Sequence, residues 1–240
     1  MLKKIINTTK EIGRGISSIA FPSVCICCGL ETTERDRQLC SFCKEERFVD
    51  ANPENKHVSS DVLLPEIVSI QHALWEFDKG GVLQDLMHYL KYERLTGIGY
   101  EIGRLVARRA MKHPALQSLK ESKDVILVPV PLHYLKFRKR GFNQAFMIAQ
   151  GMQSILKTPI CKIDSVIRQK NTSTQTGFTI EKRISNIKDA FRVNKPEAFK
   201  DKRAVIVDDV FTTGSTTFEL ARTLADTGIS DTIILTAAQA

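Results

Sequence analysis

The sequence predicts an α/β fold, a parallel sheet flanked by helices, carried behind a small N-terminal module of four cysteines. Three observations predict it. From Val125 onward, short apolar runs alternate with amphipathic stretches, the pattern of βαβ units and a parallel sheet. The run Ala204 to Val207 is apolar without interruption, as a central strand buried on both faces requires. Five of the six cysteines fall between Cys25 and Cys43, so composition divides the chain into a short module and a long remainder that holds only Cys161.

Taken in order, Leu2, Ile5, Ile6, Ile12, Ile16 and Ile19 share roughly one helical face, which predicts a basic amphipathic helix over 1–21. Docking on the protein body is its default, with membrane contact the minority reading. Lys10, Glu11 and Arg14 interrupt the apolar stretch before it reaches the length of a signal peptide, and no segment approaches transmembrane length. The expected compartment is therefore the cytoplasm, where thiols stay reduced and clustered cysteines point to metal.

Cys25 and Cys28 form one CxxC pair and Cys40 and Cys43 a second, so the module at 22–50 is expected to close a structural Zn2+ site with four thiolates and no open position for catalysis. Cys27 lies inside the first pair and can replace a neighbour, which leaves the identity of one ligand open. The polar segment Asp50 to Asp61 reads as a linker.

The remainder, 62–240, opens with a strand-like stretch, Ile67 to Phe77. Two helical patterns follow, Val82, Leu83, Leu86, Met87 and Leu90, then Ile98, Ile102, Leu105 and Val106, joined by a basic, Gly-containing turn. Val125 to Val130 is a strand, and Asn143 to Leu156 a helix, because Phe146, Ala149, Met152 and Leu156 recur at spacings of three and four. Thr216 to Thr227 is the helix after the central strand, ended by Gly228, and Thr232 to Thr236 is a further strand.

At 42% hydrophobic and 26% charged, the 240 residues read as globular, enough for one α/β domain with an appendage. The formal charge of +8 favours an anionic partner, whether a phosphorylated small molecule, nucleic acid or a lipid surface; a solvated lysine surface is the other reading. Trp75, Phe77, Tyr89 and Tyr92 can stack on bases, although their spacing places most of them in a core. Lys91, Arg94, Arg104, Arg108 and Arg109 form either a DNA-facing patch or a solvated helix face.

The stretch Val205 to Thr217 carries the most specific chemistry. Two acids, Asp208 and Asp209, stand at the end of a buried strand, followed by the polar loop Thr212, Thr213, Gly214, Ser215 and Thr216 and a helix start. Backbone N–H groups and the positive end of the helix dipole face an anion there, and Gly214 permits close approach. Paired carboxylates would repel a lone phosphate. They suit a phosphorylated sugar whose hydroxyls need acceptors and whose pyrophosphoryl end is neutralised by Mg2+. A second loop places Lys136, Arg138, Lys139 and Arg140 before the helix opened by Gly141, Phe142, Asn143 and Gln144, which suits a pyrophosphate. A third, polar stretch from Arg168 through Lys170 and Gln175 to Arg183 reads as a lid, with a plain surface loop as the other reading.

The Val205 to Thr217 stretch resembles the phosphoribosyl pyrophosphate (PRPP) motif of type I phosphoribosyltransferases, apolar residues followed by two acids, two threonines, glycine and a hydroxyl residue. The resemblance implies a type I phosphoribosyltransferase-like sheet, with Asp208 and Asp209 on the ribose hydroxyls as the catalytic pair, Thr212 to Thr216 on the 5′-phosphate, and a hood at 62–112 that selects the acceptor. From about Phe21 onward the order of motifs is similar to the ComF family of bacterial competence proteins: Pro22 with the CxxC pairs, Leu90-Lys91-Tyr92, Arg140-Gly141-Phe142-Asn143-Gln144, Thr174-Gln175 with Arg183, and Val205 to Thr217. That resemblance implies a role in natural transformation, with PRPP, single-stranded DNA and a competence helicase as partners. Two functions remain open: a DNA-binding competence factor using PRPP as ligand, or an active phosphoribosyltransferase acting on an unidentified nitrogen nucleophile.

Overall fold

The computed structural model describes residues 24–32, 38–51, 64–172 and 185–240; the amphipathic helix expected over 1–21 lies outside them. The chain divides into two compact units, Met1–Phe48 and Val49–Ala240. In the smaller, the first CxxC turn is closed by Gly29 N–H donating to Cys25 O and Cys25 N–H to Leu30 O. The second CxxC pair opens helix α1 (Ser41–Glu46), whose N-cap, Cys40, accepts a hydrogen bond on sulfur from the Cys43 N–H.

The larger unit runs β1 (Val68–Glu76), α2 (Val82–Tyr92), α3 (Thr96–Ala110), β2 (Val125–Pro129), α4 (Tyr134–Arg140), α5 (Gln144–Leu156), β3 (Val166–Arg168), β4 (Phe191–Val193), β5 (Arg203–Phe211), α6 (Ser215–Ala225) and β6 (Asp231–Gln239). Strands β1, β6, β5 and β2, in that spatial order, form one parallel sheet, while β3 and β4 pair separately and antiparallel. Both central strands are buried along nearly their whole length. The uninterrupted apolar run Ala204 to Val207 follows from this, because a strand between two neighbours, covered on both faces, has no side to turn to water. The stretch expected as a hood, 62–112, supplies the edge strand β1 of this same sheet together with α2 and α3. Trp75, on β1, is 2% exposed and belongs to the core.

β5 and β6 extend beyond the apolar runs visible in the sequence. Their polar extensions stay in the sheet because Asp208 pairs opposite Thr236, the Thr236 hydroxyl donates to Ala238 O, and the Gln239 amide donates to Glu76 Oε1 at 2.9 Å. The basic stretch after β2, read as a loop, forms α4 instead. Its His133 Nδ1 accepts from the Leu135 N–H, and Gly141, at φ 84, ends it with an N–H donated to Phe137 O. No residue of α4 is buried, so it carries none of the apolar periodicity by which a helix is legible in sequence.

α3 and α5 cross at contact distance. A Cβ on Gly103 would lie 1.9 Å from Ile148 O, and one on Gly151 would lie 2.0 Å from Tyr100 O. This close crossing seats α5, and with it the α5 N-terminus, against the sheet.

Candidate functional site

β2 ends beside β5, with Pro129 opposite Val207 and the Val130 N–H donating to Val207 O at 2.9 Å. Asp208 and Asp209 follow on β5, at the carboxyl edge where parallel sheets bind ligands. Here a cleft of about 570 Å³ opens. Asp208 and Asp209 face Lys91 and Tyr92 from α2, Lys136, Lys139 and Arg140 from α4, Gln144 from α5, and Arg168 from β3. Asp208 also borders a smaller recess walled by Thr212 to Thr217.

The two acids, neighbours in sequence, are pushed in opposite directions. Asp209 is ion-paired with Lys91 through Oδ2 and accepts from the Gln144 amide on Oδ1 at 3.3 Å. Burial alone would raise its carboxyl, but the Lys91 charge and these hydrogen bonds outweigh it and hold Asp209 below the usual carboxylate range. Lys91 is held above its ordinary value in turn, the Asp209 charge overcoming its own burial. Asp208 accepts the Asp209 N–H at 2.9 Å, yet burial and then the neighbouring Asp209 charge push its carboxyl well above the usual range. Two like charges side by side in a buried site cannot both ionise freely, and the cation has gone to Asp209.

Around this pair the cations are braced by neutral partners. Arg140 donates to Gln144 Oε1 and lies over the Tyr92 ring, 5.6 Å from its centroid. Arg168 donates to the Thr172 hydroxyl and stacks over Phe191, while its buried Nε has no hydrogen-bond partner among the described residues. Lys136 donates to Thr172 O at 3.0 Å. Beyond the acids, the Thr213 and Ser215 hydroxyls pair with each other at 2.8 Å, and no side chain caps α6. Gly214, at φ 72, opens that helix; a Cβ there would meet the Phe218 ring at 2.4 Å. The recess thus presents hydroxyls and backbone N–H groups and no carboxylate besides Asp208.

The smaller unit holds the second site. Ligand sulfurs of Cys25, Cys28, Cys40 and Cys43 all lie within 4.8 Å of one another, and all are free thiols. Cys28 Sγ and Cys40 Sγ are 3.7 Å apart, against the ~3.8 Å edge of a tetrahedron with ~2.3 Å metal–sulfur bonds. The cluster therefore fits a four-thiolate zinc, with every position filled by protein. Cys27 stands outside it, its carbonyl accepting from Arg47.

Residues 143–239 match the family model of the phosphoribosyl transferase domain. Over 220 residues the chain is 30% identical to the DNA utilization protein YhgH of Escherichia coli K12, covering 88% of this chain and 94% of that protein. It is 28% identical over 209 residues to Competence protein F of Haemophilus influenzae, covering 86% of each. The chain belongs to the ComF family. A further relative, Competence protein ComFC of Bacillus subtilis, is 28% identical over 106 residues, 44% of this chain and 40% of that protein.

In this ComF-family chain, the fold brings Asp208, Asp209, Lys139, Arg140, Arg168 and Thr216 to one cleft, and Thr212, Thr213, Gly214 and Ser215 to the adjoining recess. Arg138 lies on α4 but does not line the cleft. Lys170 is also apart from it, exposed, paired with Asp189 and donating to Lys188 O. Gln175 and Arg183 lie outside the described residues. Lys91 and Gln144 are the site residues to which sequence reasoning assigned no role in the cleft. The motifs Leu90-Lys91-Tyr92 and Phe142-Asn143-Gln144 contained them, but neither pattern says that both would converge on Asp209. Arg94 also lines the cleft, whereas Arg109 pairs with Asp50. Among the described residues, no helix is long and apolar enough to cross a membrane.

Proposed function

We propose that this protein is a cytoplasmic competence factor that binds PRPP with magnesium in the cleft and single-stranded DNA during DNA uptake. The observation that carries it is the convergence of the adjacent carboxyls Asp208 and Asp209 with the cations Lys91, Arg94, Lys136, Lys139, Arg140 and Arg168 and a hydroxyl-lined recess beyond the carboxyl end of β2. The ribose hydroxyls donate to Asp208 and Asp209, and the 5′-phosphate takes the recess of Thr212 to Thr216 and the N–H groups opening α6. Lys139, Arg140 and Arg168 hold the pyrophosphate, and Lys91 must yield part of its hold on Asp209 to the ribose. Magnesium, when bound with the ligand, neutralises pyrophosphate charge. The carboxylates present suit an ion that keeps several waters and takes most of its ligands from phosphate. Zinc in the Cys25, Cys28, Cys40 and Cys43 cluster is structural.

The phosphoribosyl transferase match over 143–239 favours a second reading, in which a nitrogen nucleophile attacks the ribose C1 and pyrophosphate leaves. Under either reading, Asp208→Asn with Asp209→Asn should weaken magnesium-dependent PRPP binding by on the order of a hundredfold, because the ribose hydroxyls lose both carboxyl acceptors, the Lys91-paired Asp209 being a charge-assisted one. Calorimetry on wild type and the double variant measures this. Equal affinities would overturn the assignment of the cleft, since relieving carboxylate repulsion would otherwise favour an anion. Pyrophosphate release across a panel of bases and amines, with and without single-stranded DNA, separates ligand from substrate.

A further inference from the structure

α4 borders two cavities. Lys136, Lys139 and Arg140 line the acid-containing cleft, whereas Tyr134 and Phe137 line a second cavity of about 620 Å³, walled further by Phe142, Phe146 and Ile163. The two cavities share only Leu132 and Arg168. Tyr134 is 61% exposed and Phe137 45% on α4, and Ile163, before β3, is 74% exposed; gathered around one cavity, such exposed apolar groups mark an interaction site. Among the described residues no carboxylate lines this second cavity, and the cations Lys162 and Arg168 do. Arg138 follows Phe137 on the same helix, and the nearest acid in sequence, Asp164, is already paired with Lys195 at 2.5 Å.

The occupant that fits has flat apolar faces and negative charge. Aromatic side chains accept the face of any base, and cations beside them meet the backbone phosphates. A duplex hides its base faces, so the strand must be single. The rings Tyr134, Phe137, Phe142 and Phe146 stand among aliphatic Leu132, Met147, Ile163, Val166 and Ile167, and the bordering cation Lys162 favours bases on a phosphate backbone over an uncharged apolar segment. We infer that this second cavity seats unpaired bases of single-stranded DNA, with the phosphates running past Arg138 and Lys162. The inference rests on the DNA-binding reading above and adds the place, which is distinct from the PRPP cleft.

Anisotropy titration of a short fluorescein-labelled oligodeoxythymidine with the full chain, over a series of salt concentrations, tests it. Tyr134→Ala with Phe137→Ala should weaken binding roughly tenfold or more at unchanged salt slope, since only stacking is lost. Arg138→Gln should lower the slope by about one. The ring-preserving pair Tyr134→Phe with Phe137→Tyr should bind as wild type, and PRPP calorimetry reports whether each variant retains its fold. A folded Ala double variant with wild-type affinity overturns the location and leaves DNA binding standing. Displacement of the oligonucleotide by an acidic amphipathic peptide at lower concentration than by unlabelled oligonucleotide overturns it in favour of a protein partner. If wild type binds no oligonucleotide even at low salt, the DNA-binding reading itself falls.

Discussion

The cysteine unit and the sheet unit reach their folds by different routes. Among the described residues of Met1–Phe48, the buried apolar side chains are Cys25, Leu39, Cys43 and Phe48, two of them thiols of the cluster. In Val49–Ala240, β5 and β6 are buried along nearly their whole length, and Phe199, Phe211, Leu127 and Ile148 are fully enclosed. A unit with so little apolar surface to remove from water cannot offset the entropy of ordering its chain by burial. Four thiolates on one metal ion would supply the missing cohesion, which the larger apolar core supplies in the sheet unit. A small module and a domain can thus share a chain and answer to different chemistry.

The largest expected effect follows from removing the metal. Structural zinc sites of this kind contribute ~10–16 kcal/mol of apparent free energy, so a strong chelator, or Cys40→Ser, should unfold the cysteine unit and leave the cooperative melt of the sheet unit in place. Elemental analysis should find about one zinc per chain. Protein purified without chelator that contains no zinc, and whose melting a chelator does not change, would remove the contrast.

A smaller effect probes the sheet unit where it is tightest. In an ordinary exposed helix, Gly→Ala stabilises by ~1 kcal/mol. At Gly103 and Gly151 the new methyl would meet backbone of the facing helix, so the sign should reverse. Each substitution is expected to destabilise by ~1–3 kcal/mol, seen as a lower denaturant midpoint at unchanged slope, with the zinc content unaffected. A gain in stability at either position would show that α3 and α5 can separate at no cost.

The smallest effect sets the two units moving in opposite directions with pH. Asp208 holds its proton in the folded state to a higher pH than in the unfolded chain, because of burial and the charge of Asp209. Its contribution is therefore present at low pH and is lost as pH rises from the ordinary carboxylate range, ~4, through the folded value. Asp209, held low, loses its contribution only at more acidic pH. Over mildly acidic pH the sheet unit should gain stability as the zinc site, whose thiolates compete with protons, loses it. Melting curves at several pH values, compared with Asp208→Asn, check this. An unchanged slope in the variant would mean that Asp208 titrates normally.

Some of the site was legible because it is local. Asp208, Asp209 and the loop Thr212 to Gly214 lie on one strand–turn–helix segment, so their chemistry follows from consecutive residues. The CxxC pairs are equally local. Lys91 and Gln144 were not assigned, because reaching Asp209 depends on how α2 and α5 pack against the sheet. The length of β5 and β6 was misread for a related cause: Asp208, Thr236 and Gln239 interrupt the apolar runs, but hydrogen bonds keep them in the strands.

By itself, then, the sequence determined the α/β class, the order of the four sheet strands and of α2, α3, α5 and α6 along the chain, and the paired acids before a phosphate-type turn. Each of these is written in periodicities and spacings within a single element. The tertiary structure alone decided which acid is paired, since Lys91 comes from a distant helix to Asp209 and leaves Asp208 to burial. It also set Cys27 outside the thiol cluster and gave α4 its two unlike faces, because both depend on which side chains meet in space, and no short-range pattern encodes that.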